Sequence, residues 1–92
     1  MAQIIKANGE IIDVIPKNGV DFQLEEMQEV VGGWIEIVYL DNGSMMVVNE
    51  EGKLKQLPYN RLATQMVESG CRYLSGDWIA GDVLVCDKTQ IK

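Results

Sequence analysis

A chain of 92 residues is material for one domain, 1–92, with one core. A domain of that size buries about 60–65 % of the surface its unfolded chain exposes, which leaves little to wall a deep pocket. The 47 % hydrophobic and 24 % charged residues are those of an ordinary globular protein, and no apolar run reaches the roughly 18 residues of a membrane span. The net charge of −6 weighs against a nucleic-acid polymer as partner, because such binding draws on many lysine and arginine contacts to phosphate.

Gln3 to Ala7 and Glu10 to Ile15 alternate in strand fashion around Asn8-Gly9, a dipeptide suited to a type I′ turn, and so predict a hairpin. This start does not resemble a signal peptide, so the chain is expected in the cytoplasm with Cys71 and Cys86 reduced. Pro16-Lys17-Asn18-Gly19 then interrupts the pattern. Asp21 is the expected N-cap of a helix running to about Val31, with Leu24, Met27 and Val31 on its inner face and Glu25, Glu26 and Glu29 outward. Gly32-Gly33 is its stop.

Trp34 to Leu40 has strand composition, and Asp41-Asn42-Gly43 returns it into Ser44 to Asn49 as a second hairpin. A turn follows at Asn49 to Lys53, then an extended connection from Leu54 to Pro58. Asn60 is the expected cap of a second helix to about Ser69, with Leu62, Ala63, Met66 and Val67 inward and Gly70 at its end. Asp82 to Cys86 closes the chain as a strand. The order β-β-α-β-β-α-β, with hairpins and no βαβ pattern, predicts an α+β fold: an antiparallel sheet with both helices on one side.

Catalytic chemistry has few candidates in this sequence. There is no histidine, which removes Ser–His and Cys–His pairs and the commonest metal ligand. Two cysteines without histidine do not make a zinc site. The adjacent carboxylates Glu25-Glu26 and Glu50-Glu51 diverge rather than converge, and the glycines match no phosphate-loop spacing. The expectation is a binding protein that is not an enzyme, with no cofactor, no metal and no catalytic residue. Charge is unevenly spread: eight acids and no base lie between Asn18 and Gly52, whereas six bases face four acids from Lys53 onward. A solvated acidic face and a local anion site both fit that distribution.

Val31-Gly32-Gly33-Trp34-Ile35-Glu36-Ile37-Val38-Tyr39-Leu40, Val47 to Leu54 (VVNEEGKL), Leu57 to Ala63 (LPYNRLA) and Ile79 to Val85 (IAGDVLV) follow one another in order. Across about residues 30 to 86, with a weaker match in the N-terminal hairpin, the chain resembles a family of small domains of unknown function, found mainly in bacteriophages, plasmids and other mobile elements of bacteria. The resemblance implies a setting: an accessory protein inside an infected bacterial cell. Small phage accessory proteins blunt host defence by sequestering a cyclic nucleotide alarm signal, by contact with a defence enzyme, or by imitating the charge of DNA.

Within the matching motifs the candidate ligand-binding residues are Asn49, Lys53, Tyr59, Asn60 and Arg61, with Trp34 as a stacking surface. Asn49 also suits a turn and Asn60 a helix cap, while Lys53 suits an exposed turn. Arg61 falls in the first helical turn, where the macrodipole disfavours a cation. A bound phosphate or an ion pair to an acid such as Glu50 would each relieve it. The expectation is a homo-oligomer that sequesters a small anionic nucleotide, with an acidic protein-contact inhibitor as the alternative.

Overall fold

The computed structural model describes residues 2–70 and 78–91. Five strands, β1 (Ala2–Ile5), β2 (Ile11–Val14), β3 (Ile35–Tyr39), β4 (Ser44–Asn49) and β5 (Val83–Asp87), accompany two helices, α1 (Leu24–Val31) and α2 (Arg61–Gly70). A short 3-10 turn over Lys88–Gln90, absent from the sequence expectation, follows β5. The strands form one antiparallel sheet ordered β2-β1-β5-β4-β3. The last strand is thus inserted between the two hairpins: Ile5 pairs Val83, and Met46 pairs Val85. The fold is α+β, as the sequence predicts.

The helices do not share one side of the sheet. Side chains alternate along a strand, so neighbours point to opposite faces. Met46, Val48, Ile5 and Val83 cluster with Ala63 and Val67 of α2. Val47, Leu84 and Cys86 instead cluster with Met27 and Val31 of α1. The expected one-sided sheet is therefore a three-layer arrangement, with a core on each face. Met45-Met46-Val47-Val48 is apolar without alternation because β4 is covered on both sides.

Local details also depart from the sequence reading. Neither hairpin uses a type I′ turn. Gly9 N–H donates to Lys6 O at 2.9 Å and Gly43 N–H to Leu40 O at 3.1 Å. In each loop only the glycine has positive φ, +95° and +88°, whereas type I′ needs it at both central residues. Both are three-residue loops with the glycine in the bulge position, and Asn8 and Asn42 accept from the amides of Glu10 and Ser44.

The cap of α1 is Gln23, not Asp21. Asp21 instead accepts hydrogen bonds from the Asn18 and Gln23 side chains at 2.8 Å. Leu24, at the first turn, is 48 % exposed rather than inward. Residues 54 to 58 are not an extended link, since Lys55 N–H donates to Glu51 O and Leu57 N–H to Gly52 O in a compact series of turns. Among the described residues no helix is long and apolar enough to cross a membrane.

Candidate functional site

The approach to α2 is tied to the segment that leads into β5. Tyr59 bridges Ala80, Gly81 N–H donates to Pro58 O at 2.7 Å, and Asn60 N–H donates to Ile79 O at 2.8 Å. Asn60 itself is buried. Its Oδ1 accepts from Ala63 N–H at 3.0 Å, the N-cap bond that the sequence predicts. Its Nδ2 donates to Ile5 O and to Gly81 O, each at 2.9 Å. One amide therefore joins the end of β1, the start of α2 and the lead-in to β5. A residue so used positions its neighbours and is not itself presented to a ligand.

The neighbour it positions is Arg61. A depression of about 480 Å³ opens at the N-terminus of α2, lined by Lys6, Ala7, Asn8, Gly9, Asn60, Arg61, Leu62 and Gln65. Arg61 is exposed, and neither it nor Lys6 makes an ion pair among the described residues, so the expected alternative of a bridge to Glu50 is not formed. The amides of Arg61 and Leu62 open the helix and have no intrahelical acceptor. Two cations and a helix N-terminus thus converge on one hollow. Lys6 was missed by sequence reasoning. It stands 55 positions from Arg61, and only the pairing of β1 with β5 brings the two together.

Lys53 and Asn49 lie elsewhere. They line a separate cleft of about 590 Å³ that opens on the α2 face beside β3, with Glu36, Val48, Glu50 and Trp78. Lys53 Nζ sits 4.2 Å from the centre of the Trp78 ring, a cation–π distance. Asn49 is buried, with Nδ2 donating to Val31 O at 3.0 Å and Oδ1 accepting from Glu51 N–H at 2.8 Å. It holds the turn after β4 to the end of α1, as the turn reading expects. Lys53 and Arg61 of one chain therefore do not meet one ligand in either hollow. Tyr59 is 54 % exposed beside Asn60, and Trp34 is 64 % exposed at the outer edge of the sheet. Neither lines a hollow.

Among the described residues no group of three or more His, Cys, Asp or Glu side chains is gathered to hold a metal. Cys86 is a free, buried thiol whose pKa is pushed up to about 11, first by burial and then by the Asp87 charge. Cys71 lies outside the described residues.

These features define a small α+β domain: a sheet covered on both faces, with a cationic hollow at the start of its second helix. The chain belongs to the family described as Domain of unknown function (DUF3846), whose profile matches residues 4–91. That match takes in residues 30 to 86 and the first hairpin, where the sequence resemblance is weaker. Comparison with curated proteins and with solved structures finds no match.

Proposed function

We propose that this protein binds a small phosphate-bearing anion at the start of α2 and sequesters it without catalysis. The observation that carries this reading is the convergence of Lys6 and Arg61, neither in an ion pair among the described residues, on the hollow at the helix N-terminus. On a chain of net charge −6, two cations held together over free amides favour an anion at one place, while the acidic remainder repels polyanions. Tyr59, exposed one residue before Asn60 though not part of the hollow's lining, offers a face on which a base can stack. The ligand class is a nucleotide signal, such as a cyclic di- or oligonucleotide. The anti-defence role in an infected bacterial cell rests on the setting that the sequence resemblance implies.

The test is a thermal-shift panel of cyclic and linear nucleotides, with inorganic phosphate as reference. A ligand at about a hundred times its Kd adds about 2.7 kcal/mol to stability. Arg61→Ala and Lys6→Ala are each expected to weaken binding at least about tenfold, since a hydrogen bond to a charged group is worth about 1.5–3 kcal/mol. Ligand recovered intact, in stoichiometric amount, from digested complex supports sequestration. Turnover in excess over protein overturns it.

A second reading has its own observation. Leu24, the first residue of α1, is 48 % exposed next to Glu25, and Glu29 is exposed one turn on, so α1 presents an apolar contact within the acidic stretch from Asp21 to Glu51. That face suits contact with a basic surface of a host defence or regulatory enzyme, including one that binds DNA. Charge reversal at Glu25 and Glu29 would then remove inhibition and leave nucleotide binding intact.

A further inference from the structure

The sheet ends on β3, and this edge carries little to protect it. Ile35-Glu36-Ile37-Val38-Tyr39 has one charge, no lysine and no proline. An exposed edge of that composition is a template for another strand. The opposite edge, β2, is shorter and runs into Pro16.

The outward-facing backbone groups of β3 can be assigned. Glu50 N–H donates to Trp34 O, and Leu40 N–H donates to Ser44 O, each at 2.9 Å. Residues 34, 36, 38 and 40 therefore turn their amides and carbonyls toward β4, while Ile35, Ile37 and Tyr39 turn theirs away from the sheet. No partner for these outward groups exists among the described residues.

We infer that β3 pairs antiparallel with β3 of a second copy, about a two-fold axis at Ile37. The alternation requires residues 35, 37 and 39 of one copy to face 35, 37 or 39 of the other. Of those registers, Ile37 against Ile37 with Ile35 against Tyr39 pairs all five residues and keeps Glu36 off its own copy. Each of those pairs then exchanges both of its backbone hydrogen bonds. The side chains agree with the backbone. Ile35, Ile37 and Tyr39 share the α1 face, so pairing joins two half-exposed rows into one apolar stripe with Tyr39 stacked against Ile35. Glu36, the one charge, faces Val38 rather than its own copy. Trp34 comes opposite Leu40 and extends the contact.

An isologous interface of this kind makes one sheet from two. Because the axis is normal to the sheet, both Glu36-lined clefts fall on the same side. A five-residue pairing is smaller than the ~1,200–2,000 Å² interfaces of stable complexes. The dimer is accordingly a micromolar one.

Light scattering and sedimentation across the micromolar range read the state directly. The expected mass at high concentration is twice 10.3 kDa. Ile37→Lys and Ile37→Glu each place like charges face to face, and each is expected to weaken self-association at least about tenfold. Mixing the two in equal amounts restores a dimer, which a structural role for Ile37 would not do. If either charge variant fails to fold, Ile37→Cys in a Cys71→Ser background decides. Mild oxidation then cross-links the protein, because facing residues of such a pair lie about 5.5 Å apart, within disulfide reach. A wild-type monomer at about 100 µM, a dimer indifferent to Ile37→Lys, or failure of Ile37→Cys to cross-link overturns the inference. Failure here leaves the Lys6–Arg61 reading untouched, since the two surfaces share no residue.

Discussion

Asn60 shows how much one side chain carries in a domain this small. The sequence shows it as a cap, a local role set by three residues of spacing. Its two other bonds, to Ile5 O and Gly81 O, join segments far apart in the chain and are visible only once β5 lies beside β1. Asn60→Ala removes the cap, worth about 1 kcal/mol, and takes away the side-chain donor to the Ile5 and Gly81 carbonyls. The expected loss is about 2–4 kcal/mol in chemical denaturation. Asn60→Asp keeps an acceptor for Ala63 N–H but cannot donate, so it should recover little of that loss. An aspartate variant as stable as wild type would show that the carbonyls do not need the amide.

At the scale of elements, the sequence places both α-helices and all five strands of the described residues, misses the 3-10 turn after β5, and misplaces some ends. Helix α1 is the instructive case. Asp21 is a better cap residue than Gln23 by intrinsic preference, yet the helix begins after Gln23. The reason is Glu26, whose Oε2 accepts from Gln23 N–H at 2.8 Å and whose Oε1 accepts from Lys17 N–H at 2.9 Å. A carboxylate that reaches back both fixes the helix start and ties down the loop after Pro16.

Those bonds, the one from Gln23 first, hold the Glu26 pKa below the usual carboxylate range. A depressed folded pKa means the contribution is present above the unfolded value and lost as pH falls through the folded one. Helix α1 should therefore fray on acidification below the ordinary glutamate range. The protection of the Gln23 and Lys17 amides, taken relative to their intrinsic exchange rates, reads it, and Glu26→Gln should make that protection independent of pH there. The hairpins carry the same lesson in milder form. Asn-Gly marks both turns correctly, while the turn type follows from loop length, which strand pairing sets.

For the whole molecule, Cys86 reports on cooperativity. It sits in the α1-side cluster with Val47 and Leu84, and its thiol is held neutral well above its ordinary range. The sign follows from linkage: with the folded pKa raised, the contribution is complete below the unfolded value of 9.0 and is lost as pH rises through about 11. In a Cys71→Ser background, a thiol reagent near pH 8 should label Cys86 only as fast as the molecule unfolds. Rapid labelling of folded protein would show that the α1 layer opens on its own.

The sequence by itself determined the elements, because their signals are local. Asn-Gly turns, a helical repeat ended by Gly32, and a cap at Asn60 act through neighbours a few residues away. It also determined the antiparallel class, since adjacent strands joined by short loops can pair only that way. Tertiary structure alone decided that β5 inserts between the hairpins, that each helix takes its own face, and that Lys6 meets Arg61. These depend on pairings between distant segments, whose choice is a matter of which arrangement buries both faces of β4 and β5 at once. The unbroken apolar run Met45 to Val48 carried a trace of that answer, because a strand with one wet face alternates and this one does not. Turning that trace into a site required the partner strand, and the partner lies nearly forty residues on.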